Sequence, residues 1–156
     1  MTGILKNQLG INSAWTDAGF IQSSFNSGAN GTFWLAASKQ VGSLDLWAEV
    51  YVKAYVGGTV SSGGYFAVWV MPELPDGNFG DGVTNGTGLP NGTLFVDNIG
   101  VKAGVTSGSA VYGMTHIFPI PIDGYKFGVS QHLGIALNAT SSVSVLYRTR
   151  NLNLNG

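Results

Sequence analysis

Residues 44–56 read "LDLWAEVYVKAYV". The even positions are Leu44, Leu46, Ala48, Val50, Val52, Ala54 and Val56; the odd ones are Asp45, Trp47, Glu49, Tyr51, Lys53 and Tyr55. Period two sustained over this length predicts a long strand with one buried face, since successive side chains point to opposite sides of a sheet. The odd face mixes charge with three aromatics. It is too apolar to be simply wet, so part of it is expected to meet a second layer or another subunit.

The rest of the chain punctuates itself in the same style. "VGGTVSSGG" is a flexible turn, and "YFAVWVM" after it reads as a buried strand, the two long segments forming a hairpin. Further strands are expected at "GTFWLAA", "TLFVDNIGVKA", "SAVYGMTHIFPI", a short "YKFGV", "HLGIALNA" and "SVSVLYRTRNL", with "NATSS" as a tight connection. About eight short strands and no convincing helix give an all-β, single-domain β-sandwich, jelly roll or barrel. Residues 1–25 differ. Their apolar anchors, including Trp15 and Phe20, recur without a period. They read as an extended N-terminal arm before a sandwich domain at 26–156, either a frayed edge strand or an arm lying on a neighbour.

Only 10% of residues are charged, against roughly 25% in ordinary domains, and the net charge is -1. Phosphate contacts need clustered Lys and Arg, so nucleic acid is not an expected partner. Arg148 and Arg150 read as two solvent-facing residues on one strand face. Low charge with mean hydropathy of +0.20 suggests association, because little protects such a surface. The chain has no Cys, which removes disulfides and thiolate metal sites. No signal-peptide pattern opens it and no window approaches a membrane span, so a protein made in the cytoplasm, with no membrane partner, is expected. N-x-T matches at Asn30, Asn85, Asn91 and Asn138 read as chance in an Asn/Gly/Thr-rich chain.

Chemistry-bearing patterns are sparse. No G-x-S-x-G nucleophile elbow occurs, and no glycine-rich nucleotide loop. A small β-enzyme would have to place its base at His116 or His132, yet both sit in apolar strand-like runs and read as structural. Two histidines without Cys give no zinc spacing. No enzyme activity, cofactor or metal is therefore expected. The segment "PELPDGNFGDGVTNGTGLPNGT", residues 72–93, holds Glu73, Asp76, Asn78 and Asp81. Counted as a calcium loop from Asp76 it fails at Gly80 and Thr87, where ligands are required. Its D-G and N-G steps suit turns. A connection this long is usually functional or disordered, so it is expected to contact something, with Phe79 and Leu89 as apolar anchors.

Several motifs together resemble a family of small tailed-bacteriophage virion proteins that includes capsid cement (decoration) proteins. They are the long alternating strand, the aromatic strand ending in a Pro step, "DGNFGDG", "LFVDNIGVKAG", "HIFPIPIDGY" and "GIALNATSSVSVLYRTRN". The resemblance covers most of the chain after about Leu44. It implies a jelly-roll sandwich assembled as a homotrimer on the outer capsid surface, clamping major capsid protein subunits, with no catalytic residue or cofactor. The segments it carries over are Asp76–Gly82 and Phe118–Tyr125. On this expectation Trp15, Phe20, Phe79, Leu89, Trp47, Tyr51 and Tyr55 are the candidate interface residues. The alternative is a carbohydrate- or host-receptor-binding sandwich of a phage tail or fibre, with Trp34, Trp47, Tyr51 and Tyr55 stacking on sugar faces.

Overall fold

A computed structural model describes residues 14–41, 46–80, 85–86, 88–91, 94–121, 123–140 and 143–150, and the backbone of 8–9 and 152–153. The fold is all-β, as the turn-punctuated strand pattern requires. Among the described residues the one helical element is a 3-10 turn at Gln22–Phe25. Sheet I takes the order β2 (Thr16–Asp17), β10 (Ser144–Arg150), β4 (Trp47–Tyr55) and β7 (Ala110–Met114), with β8 (Phe118–Pro119) also paired to β4. Sheet II takes the order β3 (Phe33–Leu35), β9 (Tyr125–His132), β5 (Tyr65–Pro72) and β6 (Phe95–Gly100). Every pairing is antiparallel. The chain crosses between sheets at β2–β3, β3–β4, β4–β5, β6–β7, β8–β9 and β9–β10, and a five-stranded and a four-stranded sheet in these orders have the connectivity of a jelly roll. A separate two-residue ladder joins β1 (Gln8–Leu9) to β11 (Leu152–Asn153), so the chain ends run side by side.

The alternation in β4 does what period two demands. Ala48, Val50, Val52, Ala54 and Val56 are fully buried in the main core, where they meet Phe66, Val68, Phe127 and Val129 of sheet II. Burial of each Val or Phe side chain contributes about 1.5–3 kcal/mol. Leu46 breaks the expected pattern: it precedes β4 and is exposed. Leu44 lies outside the described residues.

Three strand expectations need correction. "SAVYGMTHIFPI" is not one strand: β7 ends at Met114 and β8 takes up only Phe118–Pro119. β4 and β5 do not form a hairpin; they lie in different sheets. Residues 57–64 are longer than a tight turn and are tied to the 133–136 segment, Ser61 N–H donating to Leu133 O (3.1 Å) and Gly57 N–H to Ala136 O (3.0 Å). "YKFGV" and "HLGIALNA" divide differently from the expectation. β9 runs on to His132, and the chain then bends at Leu133–Ile135, leaving a single bridge between Leu137 and Val56. Gln131 explains how a polar residue stays inside a buried strand. Its Nε2 donates to Gly28 O (3.1 Å) and Ile135 O (2.9 Å), and its Oε1 accepts from Leu133 N–H (3.0 Å).

β5 is apolar on both faces because it is buried on both. Phe66, Val68 and Val70 face the main core, whereas Ala67, Trp69 and Met71 join Phe33 in a second cluster on the outer side of sheet II. The connection after β5 covers that cluster. Phe79 and Leu94 pack onto it, and Gly80 N–H donates to Pro72 O (2.9 Å). Gly80 has φ +58, and a Cβ there would collide with Met71 Cε, so this close approach needs glycine. Further along, Gly86 N–H donates to Phe33 O (2.9 Å) and Asn85 Oδ1 accepts from Leu35 N–H (2.6 Å). The loop therefore caps the free edge of β3.

Candidate interaction surface

Among the described residues, the outer face of sheet I has no comparable cover. Residues paired across a ladder share a face, so the β4 odd positions define its rows. Tyr51 lies between Leu146 of β10 and Met114 of β7, and Lys53 between Ser144 and Tyr112. Glu49 is opposite Arg148, and Trp47 opposite Arg150 and Pro119. Tyr112 is 65% exposed and Met114 48%. Trp15, just ahead of β2, leans onto this face: its ring lies 6.0 Å from that of Tyr51 and under the Arg148 guanidinium at 4.6 Å. Trp15, Tyr51 and Leu146 line an apolar hollow of about 260 Å³.

Beside the hollow, Glu49 is 3% exposed although it points away from the core. Its Oε1 accepts from Arg150 at 2.7 Å and from Arg148 Nε. Burial opposes its ionisation, but the hydrogen bonds and charges of Arg150 and Arg148 outweigh it and hold the carboxyl below its ordinary value. Arg148 and Arg150 are thus not the solvent-facing pair expected. They share one strand face, as read, but most of each side chain is covered and engaged.

The sequence candidates fall into two groups. Trp15, Trp47, Tyr51 and Tyr55 share the outer face of sheet I along the length of β4; of these, Trp15 and Tyr51 are in ring contact, and Tyr55 has Lys53 Nζ 5.4 Å from its ring centre. Phe20 packs against the main core beside Phe25, ring centres 5.6 Å apart. Phe79 is held on the second cluster with Lys126 Nζ 4.7 Å above its ring, and Leu89 stands 48% exposed on the loop. Trp34 cannot stack on a sugar: it is buried, and its indole Nε1 donates to Ser24 O at 2.8 Å. Tyr112, Met114 and Leu146 were not singled out from sequence. The "AVYGM" alternation held a signal for the first two, once Val111 is known to face inward.

The described acids of the long loop are engaged within the fold. Asp76 accepts from Asn78 N–H and Nδ2, each at 3.0 Å, which keeps its pKa below the ordinary value. Glu73 pairs with Lys39 at 2.9 Å. Asp81 lies outside the described residues. Among the described residues no three His, Asp or Glu side chains are grouped to hold a metal. His116 Nδ1 and its backbone N–H both reach Asp97 Oδ2 (2.9 and 2.8 Å), joining the β7–β8 connection to β6. His132 stacks on Tyr65, ring centres 4.7 Å apart, with its Nε2 3.0 Å from the Ser130 hydroxyl. Burial lowers its pKa. Ser130 is fully buried, so it offers no reachable nucleophile. No helix among the described residues is long and apolar enough to cross a membrane. No family model and no curated protein matches this chain.

Proposed function

We propose that this protein is a virion structural protein of the capsid cement (decoration) type, binding the outer capsid surface as a homotrimer and bridging neighbouring major capsid subunits. The observation that best supports it is the sheet I face: a surface of Trp15, Tyr51, Leu146, Met114 and Tyr112 beside the Glu49–Arg148–Arg150 ion cluster. An exposed apolar sheet face of this kind suits burial against other proteins. A jelly roll also agrees with the resemblance in its sequence motifs. The mechanism is burial multiplied by avidity, since a trimer engaging several capsid subunits gains from effective concentration. Sedimentation of the purified protein, alone and with expanded empty capsids, tests it. A trimer, or a pair of linked trimers, that co-sediments saturably is expected; a monomer that stays in solution would sink the proposal.

The carbohydrate-binding alternative draws on the Trp15–Tyr51 hollow, whose ring walls could stack on a sugar. A glycan array separates the two: saturable binding to a glycan, abolished by Tyr51→Ala, favours the receptor module.

A further inference from the structure

Sheet edges present unpaired N–H and C=O groups, and folded β-proteins blunt them with charge, proline, bulges, short length or a covering segment. Most edges of this sandwich carry such a device. β2 is two residues long. β3 is capped by Asn85 and Gly86. β6 carries Asp97 and lies beside a register shift at Val68–Trp69. β8 contains Pro119. β7 differs from all of them. Its residues Ala110–Met114 include no charge and no proline, and they pair with β4 in unbroken register. Among the described residues no strand pairs with its other side.

The ladder fixes which groups face outward. Thr115 N–H donates to Val50 O (2.9 Å), and Val56 N–H to Ser109 O (3.1 Å). Bonded and non-bonded pairs alternate in an antiparallel ladder, so Val111 and Gly113 are the β7 residues bonded to β4. The N–H and C=O of Ala110, Tyr112 and Met114 therefore point away from β4, along the free edge. The side chains of these residues stand on the open outer face.

We infer that β7 pairs with the β7 of a second copy of this chain, antiparallel about a two-fold axis at Tyr112. The strand is self-complementary in that register. Tyr112 opposes its own copy as a bonded pair, giving a cross-strand aromatic contact. Ala110 opposes Met114, a small residue against a long one, and Val111 opposes Gly113 in the same way. A shift of one residue puts the donors out of phase. A shift of two restores the phase but leaves either Met114 or Ala110 with no β7 residue opposite. The join makes the two outer faces continuous: Lys53 and Tyr112 of both copies fall in one central row, and each Tyr51–Met114 row continues into Ala110 and Tyr55 of the other copy. The inference does not depend on the virion reading. A two-fold contact cannot build a trimer by itself, so in a trimeric cement protein it would link one trimer to the next.

The chain has no Cys, so single-cysteine variants report the contact directly. Bonded antiparallel pairs hold Cα atoms about 5.5 Å apart, within the roughly 4.4–6.8 Å that a disulfide spans. Under mild oxidation Tyr112→Cys is expected to crosslink to itself. Ala110→Cys should crosslink with Met114→Cys more than either does with itself. Val41→Cys, exposed elsewhere, should stay uncrosslinked. Tyr112→Lys changes an exposed side chain, so its far-UV circular dichroism should match wild type while its sedimentation mass falls to half that of the wild-type assembly. Equal masses for wild type and Tyr112→Lys, or crosslinking of Tyr112→Cys no faster than Val41→Cys, would overturn the inference.

Discussion

The two sheets are treated differently on their outer faces. Sheet II is roofed by its own chain: the segment after β5 lays Phe79 and Leu94 over Trp69 and Met71, then caps β3. Among the described residues, sheet I has Trp15 and the Glu49–Arg148–Arg150 cluster over part of its face, with Tyr112 and Met114 open. Both faces are rich in aromatics, so composition alone does not distinguish them. What differs is whether a local segment is long enough to fold back. The roofed face is a stability element. The open face is the one that no described segment covers.

That contrast can be broken most sharply at Trp69. Trp69→Ala empties the roofed cluster and should cost about 3–5 kcal/mol, read as a lower urea midpoint. Tyr112→Ala on the open face should move the midpoint of dilute protein by less than about 0.5 kcal/mol. Equal losses at the two sites would erase the distinction. Next in size is Glu49→Gln, which leaves two covered guanidinium groups without their carboxylate and should cost about 3 kcal/mol. The pH dependence has a definite sign. Glu49 titrates below its ordinary value in the folded protein, so its contribution is complete above the ordinary carboxylate pKa of about 4.3 and is lost as pH falls through the folded pKa. The Gln variant should lack that acid limb in urea titrations run at successive pH values.

A smaller effect is expected at the roof's hinge. Gly80→Ala places a Cβ against Met71 at a positive φ and should cost about 1–2 kcal/mol, with faster proteolysis in residues 73–94. Smallest is His132, on the roofed sheet. Burial depresses its pKa, so the unfolded chain binds the proton first, and stability declines as pH drops below about 6.5. His132→Gln should flatten the stability profile between pH 6.5 and the folded pKa. An unchanged slope would assign that limb to other groups.

Much of the architecture was legible in the chain because period two is a local signal. The buried side of β4 followed from alternation, and the unbroken apolar run of β5 announced a strand covered on both faces. What the sequence hid was long-range. The Gly- and Ser-rich stretch at 57–64 looks the same whether it closes a hairpin or crosses between sheets. "HLGIALNA" looked like a separate strand, although β9 runs unbroken through Gln131, satisfied by carbonyls from Gly28 and Ile135, to His132. Nothing in the sequence marked Glu49 as buried, because its two arginine partners are far away along the chain. Tyr112 and Met114 became visible as an exposed edge only once the strand order placed β7 last in its sheet.

Hydrogen exchange of the wild-type protein, compared between concentrated and highly dilute solution, tests most directly whether association uses the open face. Association should add protection to the amides of Ala110, Tyr112 and Met114, with little change across residues 73–94. Protection gained in 73–94 with none along β7 would contradict the account and place the contact on the loop.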